Sequence, residues 1–92
     1  MYSINPTPHE IAKELAKRHK ALRKQLKLSQ AKIAERSGVS LGSLKRFETT
    51  GQISLESLLK LAHLLNRLED FKPVFQSRED IGNIERLFTS KP

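Results

Sequence analysis

Four hydroxyl side chains divide the first two thirds of this chain into helical segments. They are Thr7, Ser29, Ser40 and Ser54. Each precedes a run whose apolar residues recur three or four positions apart, and a hydroxyl at that place caps the free amides of a helix start. Gly38 ends the second run, as glycine does in the left-handed conformation beyond a helix. Since no strand-length run alternates apolar and polar residues, the pattern predicts an all-α fold.

The first predicted helix covers about residues 8–26. Thr7, Pro8 and Glu10 stand at the N-cap, first and third helical positions, which is the capping-box arrangement. Its apolar stripe consists of Ile11, Leu15, Leu22 and Leu26, with Ala12 and Ala16 beside them. The other side of this helix is strongly basic, so the sequence predicts an amphipathic helix.

Further helices are expected from Ser29 to Gly38, from Ser40 to about Glu48, from Ser54 to about Asn66, and at 67–72. A polar turn at 49–52 separates the third helix from the fourth. These five helices form a compact predicted domain over residues 7–72.

Residues 73–92 form a C-terminal extension with a different character. Pro73 breaks any helix at its start. Ile81, Ile84, Leu87 and Phe88 then follow at helical spacing and indicate a tail helix, which Gly82 weakens. We assign this region and the segment before it to dimerisation, partner binding or completion of the core. The candidate contact residues are Phe71, Val74, Phe75, Ile81, Ile84, Leu87 and Phe88.

Positive charge is concentrated in one part of the chain. The formal net charge is +7, and residues 67–92 contribute nothing to it, since they hold five basic and five acidic side chains. Between Lys13 and Arg46 there are eleven Lys or Arg residues and only two acidic residues. Such a field attracts polyanions. Charge alone is equally compatible with a solvated lysine-rich face.

Two short helices joined by a turn at Gly38 have the geometry of a helix-turn-helix, predicted here at residues 29–48. The second helix of such a unit enters the major groove of DNA. A small core should fix the angle between the two helices. Its expected members are Ile33, Ala34, Val39, Leu44 and Phe47.

The residues from Leu28 to Ser40, followed by Leu44, Arg46, Phe47, Glu48 and Gly51, resemble the phage-repressor (Cro/Xre-type) family. The segment from Ser54 to Ala62 resembles the fourth helix of that family, and the resemblance covers roughly residues 10–66. It implies a compact five-helix domain that binds operator DNA, normally as a symmetric dimer.

The outward positions of the third helix are the candidates for reading bases: Leu41, Gly42, Lys45 and Arg46. Arg and Lys reach the major-groove acceptors of guanine, and Leu41 fits a thymine methyl. Gly42 departs from the polar residue common in the family, but it lets the backbone approach DNA closely. The family also uses the position of Arg46 in a salt bridge or a phosphate contact.

A second group is expected to contact phosphates: Arg23, Lys24, Lys27, Gln30, Lys32, Ser40, Ser43, Thr49, Thr50 and Gln52. Gln30 stands at a helix start, where free backbone N–H groups meet anions, and the resemblance implies that it contacts phosphate and braces the third helix. Ser43 either reciprocates the cap at Ser40 or donates to phosphate. Lys32 departs from the Glu frequent in the family.

The segment from Asn66 to Phe71 is also similar, more loosely, to HipB-like antitoxin regulators, which implies a HipA-type kinase partner. We therefore expect a sequence-specific transcriptional regulator, an autoregulating repressor and candidate antitoxin, which binds double-stranded DNA as a homodimer. The alternative is a protein-interaction adaptor that reuses the fold and binds DNA weakly.

The sequence lacks the residue patterns that other functional classes require. The three histidines are scattered and there is no cysteine, so no zinc pattern is present. Neither a nucleophile elbow nor a phosphate-binding loop occurs, and we expect no enzyme activity, cofactor or metal. No apolar run approaches the ~20 residues of a membrane span, and the first residues do not form a secretory signal. The expected location is cytoplasmic, at the nucleoid.

Overall fold

The computed structural model describes residues 5–77, which form four α-helices and one turn of 3-10 helix. The elements are α1 (Pro8–Gln25), α2 (Gln30–Ser37), α3 (Leu41–Thr50), α4 (Leu55–Leu64) and the 3-10 helix (Leu68–Phe71). The part of the chain that the structure describes contains no strand. The all-α prediction is confirmed, and the predicted five helices are corrected to four.

Each α-helix begins at its predicted cap. The hydroxyls of Ser29, Ser40 and Ser54 accept hydrogen bonds from the backbone N–H three residues later, at 3.0–3.1 Å. Thr7 and Glu10 form the complete capping box: the Glu10 N–H donates to the Thr7 hydroxyl at 3.1 Å, and the Thr7 N–H donates to the Glu10 carboxylate at 2.9 Å. These bonds satisfy amides that have no partner inside the helix.

The core lies where α3 meets the other helices. α1 and α2 both pack on α3, and α2 also packs on α4. The largest fully buried side chains are Ile33, Leu44, Phe47 and Leu61. Val39, between α2 and α3, is 3 % exposed, and Ala34 packs against the same cluster. The core thus holds α3 against its neighbours along its inner side.

The buried side of α1 differs from the predicted apolar stripe. Ile11 and Leu26 are 42 % and 48 % exposed, and Leu15 and Leu22 are half-buried. The buried residues of α1 are Ala16, which was expected beside the stripe, and the two polar residues His19 and Arg23. The reason is that two polar residues of α1 find polar partners on α3, so the helix turns that side inward.

α3 continues two residues beyond the predicted end at Glu48. Thr49 and Thr50 are helical rather than part of a turn, because the Thr50 hydroxyl donates to the Arg46 carbonyl at 2.7 Å and supports the last turn. Gly51 then ends the helix with φ 84° and an N–H that donates to the Phe47 carbonyl at 2.7 Å. The glycine, and not the threonine pair, is the stop.

The predicted fifth helix at 67–72 is only the 3-10 turn. Pro73 has no N–H and cannot bond to the Glu69 carbonyl four residues earlier. That carbonyl accepts the Lys72 N–H instead, at 3.2 Å, which is the tighter 3-10 pattern. α4 also ends earlier than predicted, with Leu65 at its C-cap and Asn66 beyond it at φ 61°.

Gly38 and Gly51 share a left-handed backbone but have different surroundings. Their φ angles are 81° and 84°. A Cβ on Gly38 would meet open space, whereas a Cβ on Gly51 would lie 2.8 Å from the Ala12 carbonyl carbon and 2.9 Å from its oxygen. Because those atoms belong to the backbone of α1, only a glycine permits this approach of α3 to α1.

We predict that Gly51→Ala lowers the free energy of unfolding by at least about 3 kcal/mol, because left-handed strain adds to a backbone clash. Gly38→Ala is the matched control and should cost only the strain, about 1–2 kcal/mol. Urea-induced unfolding followed by circular dichroism measures both. Equal losses would show that the contact between Gly51 and Ala12 does not constrain the fold.

Candidate nucleic-acid interface

The outer side of α3 carries the residues expected to read bases. Leu41, Gly42, Lys45 and Arg46 are all exposed, while Leu44 and Phe47 on the inner side are buried. Neither Lys45 nor Arg46 forms an ion pair or a side-chain hydrogen bond within residues 5–77. Lys45 and Arg46 thus present two charges without partners in the described chain, and Leu41 adds an exposed apolar side chain. A Cβ at Gly42 would also meet open space.

The start of α3 is closed by a pair of hydroxyls. The Ser40 hydroxyl accepts from the Ser43 N–H at 3.1 Å and donates to the Ser43 hydroxyl at 2.9 Å. The Ser43 side chain contacts the Ser40 hydroxyl but returns no bond to the Ser40 backbone N–H within residues 5–77, and its phosphate contact stays a prediction. The Ser43 hydroxyl accepts the bond from the Ser40 hydroxyl and keeps its own proton for a further acceptor.

One carboxylate of α3 is buried among the neighbouring helices. The Glu48 side chain, on the inner side of α3, is 2 % exposed. Arg23 reaches it from α1 with two bonds, from Nε to Oε2 at 2.9 Å and from Nη2 to Oε1 at 3.0 Å. The Gln30 Nε2 donates to Oε1 at 2.9 Å, and His19 Nδ1 lies 2.7 Å from Oε2. We call these four residues the Glu48 network.

The Glu48 network joins three helices at one point. His19 and Arg23 come from α1, Gln30 from the first position of α2, and Glu48 from α3. Arg23 Nη1 also donates to the Leu28 carbonyl at 2.9 Å, so the loop between α1 and α2 is held as well. A bidentate arginine–carboxylate pair fixes both orientation and distance. The network therefore sets the position of α3 relative to α1 and to the start of α2.

The protonation states in this network follow from its burial. Burial lowers the pKa of His19 more than the neighbouring carboxylate raises it. His19 is then neutral and donates from Nδ1, and its Nε2 is buried without a hydrogen-bond partner in the described chain. Its ring packs edge-on against Phe47, with centroids 5.5 Å apart.

Burial alone would raise the pKa of Glu48, but the hydrogen bonds from Arg23, Gln30 and His19 outweigh it. The pKa of this carboxyl therefore lies below its ordinary value. The buried pair consequently consists of one negative carboxylate and one positive guanidinium.

Three residues expected to contact phosphate have other partners. Each of the three guanidinium nitrogens of Arg23 donates to Glu48 or to Leu28. The Arg23 side chain is 9 % exposed and therefore does not face solvent. The Thr50 hydroxyl donates its hydrogen bond to the Arg46 carbonyl. Gln30 is half-buried and one N–H of its side-chain amide donates to Glu48, which is a bracing contact to the third helix, while its phosphate contact stays a prediction. The expectation of phosphate contacts is corrected for Arg23 and Thr50.

The other candidate phosphate ligands lie on the surface. They are Lys24, Lys27, Lys32, Ser40, Ser43, Thr49 and Gln52. Lys32 forms an exposed ion pair with Glu35 at 3.4 Å, a kind of contact that contributes little to stability and is easily exchanged. Lys24 lies in the last turn of α1 and Lys27 follows the helix, so both lie close in sequence to Gln30 at the start of α2.

Sequence reasoning missed His19 and Glu48 as members of a site. Ala12, Ala16, His19 and Arg23 recur at i, i+4, i+7 and i+11, so they share one side of α1. That spacing could have identified a second, polar stripe on the helix. It could not have named Glu48 as the partner, because the pairing joins residues 29 and 25 positions apart.

An apolar groove lies between α1 and α4. It has a volume of about 930 Å³ and is lined by residues of α1, α4 and the segment from the 3-10 helix to Val74. Of the candidate dimer or partner residues, Phe71 is half-buried there, and Val74 and Phe75 are 55 % and 103 % exposed. Ile81, Ile84, Leu87 and Phe88 lie outside the described residues.

Within residues 5–77, no helix is both long and apolar enough to cross a membrane. A family model described as helix-turn-helix matches residues 20–71, which is more than half of the chain. Comparison with curated proteins and with solved structures returned no significant match.

We predict that Glu48→Ala lowers the free energy of unfolding by about 3–5 kcal/mol, because it leaves the Arg23 guanidinium buried without its counter-ion. Glu14→Ala is the control, since the Glu14–Arg18 pair at 3.2 Å is exposed and should be worth less than about 1 kcal/mol. Urea titrations measure both losses. Similar small losses would mean that the buried pair does not hold the helices.

We predict that stability falls as the pH drops below about 6.5, the ordinary value for histidine. The pKa of His19 is lower in the folded state, so the unfolded chain binds more protons and folding loses free energy in acid. A further loss follows below about pH 4.3, because the pKa of Glu48 is also lowered by folding.

Urea unfolding at about pH 7.5 and about pH 5.5 isolates the histidine part of this dependence. His19→Asn keeps a short amide donor toward Glu48 but cannot titrate, so its stability should change less between the two pH values. His9→Asn, at an exposed position, is the control and should keep the wild-type change. An unaltered change in the His19 variant would contradict the assignment.

Proposed function

We propose that this chain, which belongs to the helix-turn-helix family of the phage-repressor (Cro/Xre) type, represses transcription from its own operon. Membership of this family makes it a DNA-binding transcription regulator. Repression and autoregulation are the parts that we propose. The observation that carries the proposal is the exposed side of α3, whose two cations have no partner within residues 5–77 and whose inner side is held by the Glu48 network.

Base recognition would come from four adjacent positions. Lys45 and Arg46 can donate to O6 and N7 of guanine in the major groove, and Leu41 can pack on a thymine methyl. Gly42 has no side chain, so the backbone at the start of α3 can approach the bases closely. Few side chains then read sequence, and we infer that the shape of the operator supplies the remaining discrimination.

Phosphate contacts would fix the register of α3 in the groove. The start of α2 presents free amides, and Lys24, Lys27 and Lys32 lie near it on the surface. Ser43 and Thr49 lie near the two ends of α3, and Gln52 follows the helix. Such contacts position the protein and make binding depend on salt.

A homodimer is part of the proposal, because one recognition helix reads only a few base pairs. Two copies placed about 34 Å apart on one side of DNA would read a two-fold site. Phe71, Val74 and Phe75, together with the apolar residues of the extension, supply the candidate surface for this pairing. The looser similarity to HipB-like regulators adds a HipA-type kinase as a candidate partner of that surface and an antitoxin role.

The apolar groove favours a second candidate function, a protein-interaction adaptor. Its lining includes Ile11, Leu55 and Val74, which are 42 %, 68 % and 55 % exposed, and an apolar surface of this kind is more typical of a contact site than of a solvated face. In this alternative α3 binds DNA weakly, and the protein acts by binding a partner protein in the groove. The two functions differ in what the loss of Lys45 and Arg46 would do.

We predict that the double variant Lys45→Ala, Arg46→Ala loses preference for the DNA upstream of its own gene over scrambled DNA. Each lost base contact should cost about 1–3 kcal/mol, so preferred binding should weaken at least about tenfold while weak salt-dependent binding remains. Fluorescence anisotropy at about 0.15 M salt measures this preference.

Lys60→Ala, Lys72→Ala removes the same charge from α4 and the segment after the 3-10 helix and is the control for this pair. Equal loss of preference in the two double variants would contradict base reading by α3. If the wild-type protein binds both DNA sequences equally, the proposal of a sequence-specific repressor is wrong. If the biological effect survives in the Lys45→Ala, Arg46→Ala variant, the adaptor function is favoured.

We predict that Ile84→Asp, Phe88→Asp in the full chain reduces self-association, because each change places a charge among the apolar residues that the sequence of the extension spaces as in a helix. Sedimentation equilibrium measures the mass in solution. Arg86→Ala is the control, since it leaves those apolar residues unchanged. A dimer unchanged by the aspartates would remove the extension from the dimer contact and leave it to a partner protein.

A further inference from the structure

α1 carries a stripe of four exposed lysines that the expected phosphate contacts largely omit. Lys13, Lys17, Lys20 and Lys24 recur at i, i+4, i+7 and i+11 and lie on one side of the helix. Between the first and the last lysine the helix rises about 16 Å. We call this set the lysine stripe.

The register of α1 places this stripe next to the side that packs on α3. Each lysine directly follows one of the residues Ala12, Ala16, His19 and Arg23. Of these, His19 and Arg23 bond to Glu48, and Ala12 approaches Gly51. Since one residue is about 100° of helical rotation, the stripe lies beside the buried side of α1.

The opposite flank of α1 has another role. The residues that directly precede the same buried positions are Ile11, Leu15, Arg18 and Leu22, and all four line the apolar groove shared with α4. α1 therefore separates the groove from the lysine stripe. The stripe is on the flank away from α4.

Both ends of the stripe meet the helix-turn-helix. At one end Lys13 Nζ donates to the Thr49 carbonyl at 2.9 Å, in the last turn of α3. At the other end Lys24 follows Arg23, which binds the Leu28 carbonyl just before α2. The stripe thus runs from the end of α3 to the approach to α2, and both places carry candidate phosphate ligands.

The charge of the stripe is not neutralised by nearby acids. Glu10 is occupied in the capping box, Glu14 pairs with Arg18, and Glu48 is buried against Arg23. Lys17, Lys20 and Lys24 form no ion pair within residues 5–77. These three lysines therefore carry charge that no carboxylate in the described part of the chain pairs with, on the helix that packs on α3.

We propose that the lysine stripe is a second DNA contact, which binds phosphates of the duplex backbone beyond the bases that α3 reads. The proposal rests on the proposed DNA-binding function and extends it to α1. Ammonium groups spaced along a helix neutralise successive phosphates without reading sequence, so the stripe supplies affinity and salt dependence.

The double variant Lys17→Ala, Lys20→Ala tests the proposal in the full-length protein. The probe is a labelled duplex enriched by the wild-type protein from a random-sequence library, together with a scrambled duplex of equal length. Binding is measured by anisotropy over a series of salt concentrations. Each lost phosphate contact should reduce the slope of log affinity against log salt by about 0.9, or about 1.8 for the pair.

The control Lys60→Ala, Lys72→Ala lowers the net charge by the same amount. These lysines pair with Glu56 and Glu69 on another part of the domain, and the control should keep the wild-type slope. The α1 variant should also keep the preference between the two duplexes within about twofold, because phosphate contacts carry no base information. Lys17→Arg, Lys20→Arg keeps the charge and should keep the wild-type slope.

Equal slopes in the α1 variant and the control would overturn the second contact while leaving base reading by α3 intact. A preference lost together with the slope would also overturn it, because the lysines would then act through the recognition helix. Wild-type protein that binds no duplex would overturn the proposed function and this contact with it.

Discussion

The position of the recognition helix depends on one buried carboxylate. Glu48 accepts four hydrogen bonds within 3.0 Å, from residues of α1 and from the first position of α2. Removing two charges from water is costly, and only close geometry with further hydrogen bonds offsets that cost. Such a network tolerates little displacement of its members. It therefore fixes the position of α3, and the apolar core around Phe47 packs between the same helices.

The three sides of α1 explain how so small a domain serves several contacts. One side is buried and polar and meets Glu48 on α3. The flank before it is apolar and lines a groove with α4, and the flank after it carries the lysine stripe. A rotation of α1 by one residue would bury a lysine against α3 and break the network. The buried polar residues thus set which charges and which apolar side chains face solvent.

The local structure of this chain could be predicted from the sequence, because it rests on contacts between near neighbours. The hydroxyl caps at Ser29 and Ser40 and the stop at Gly38 bond to residues at most four positions away. The roles of Arg23 and Glu48 could not be predicted in this way, since they depend on a pairing across 25 positions. A basic residue in a basic segment was expected to bind phosphate, and only the packing of α1 on α3 reveals its buried partner.

In the proposed complex, DNA contacts the outer side of α3 and the adjacent flank of α1, and the hydrogen bonds of the Glu48 network stay intact. Amide chemical shifts, recorded by NMR as a selected duplex is added, test this most directly. We expect large shifts at residues 41–46 and along the lysine stripe, and small shifts along α4. Shifts concentrated on α4 and the 3-10 helix, with α3 unaffected, would contradict the proposed complex.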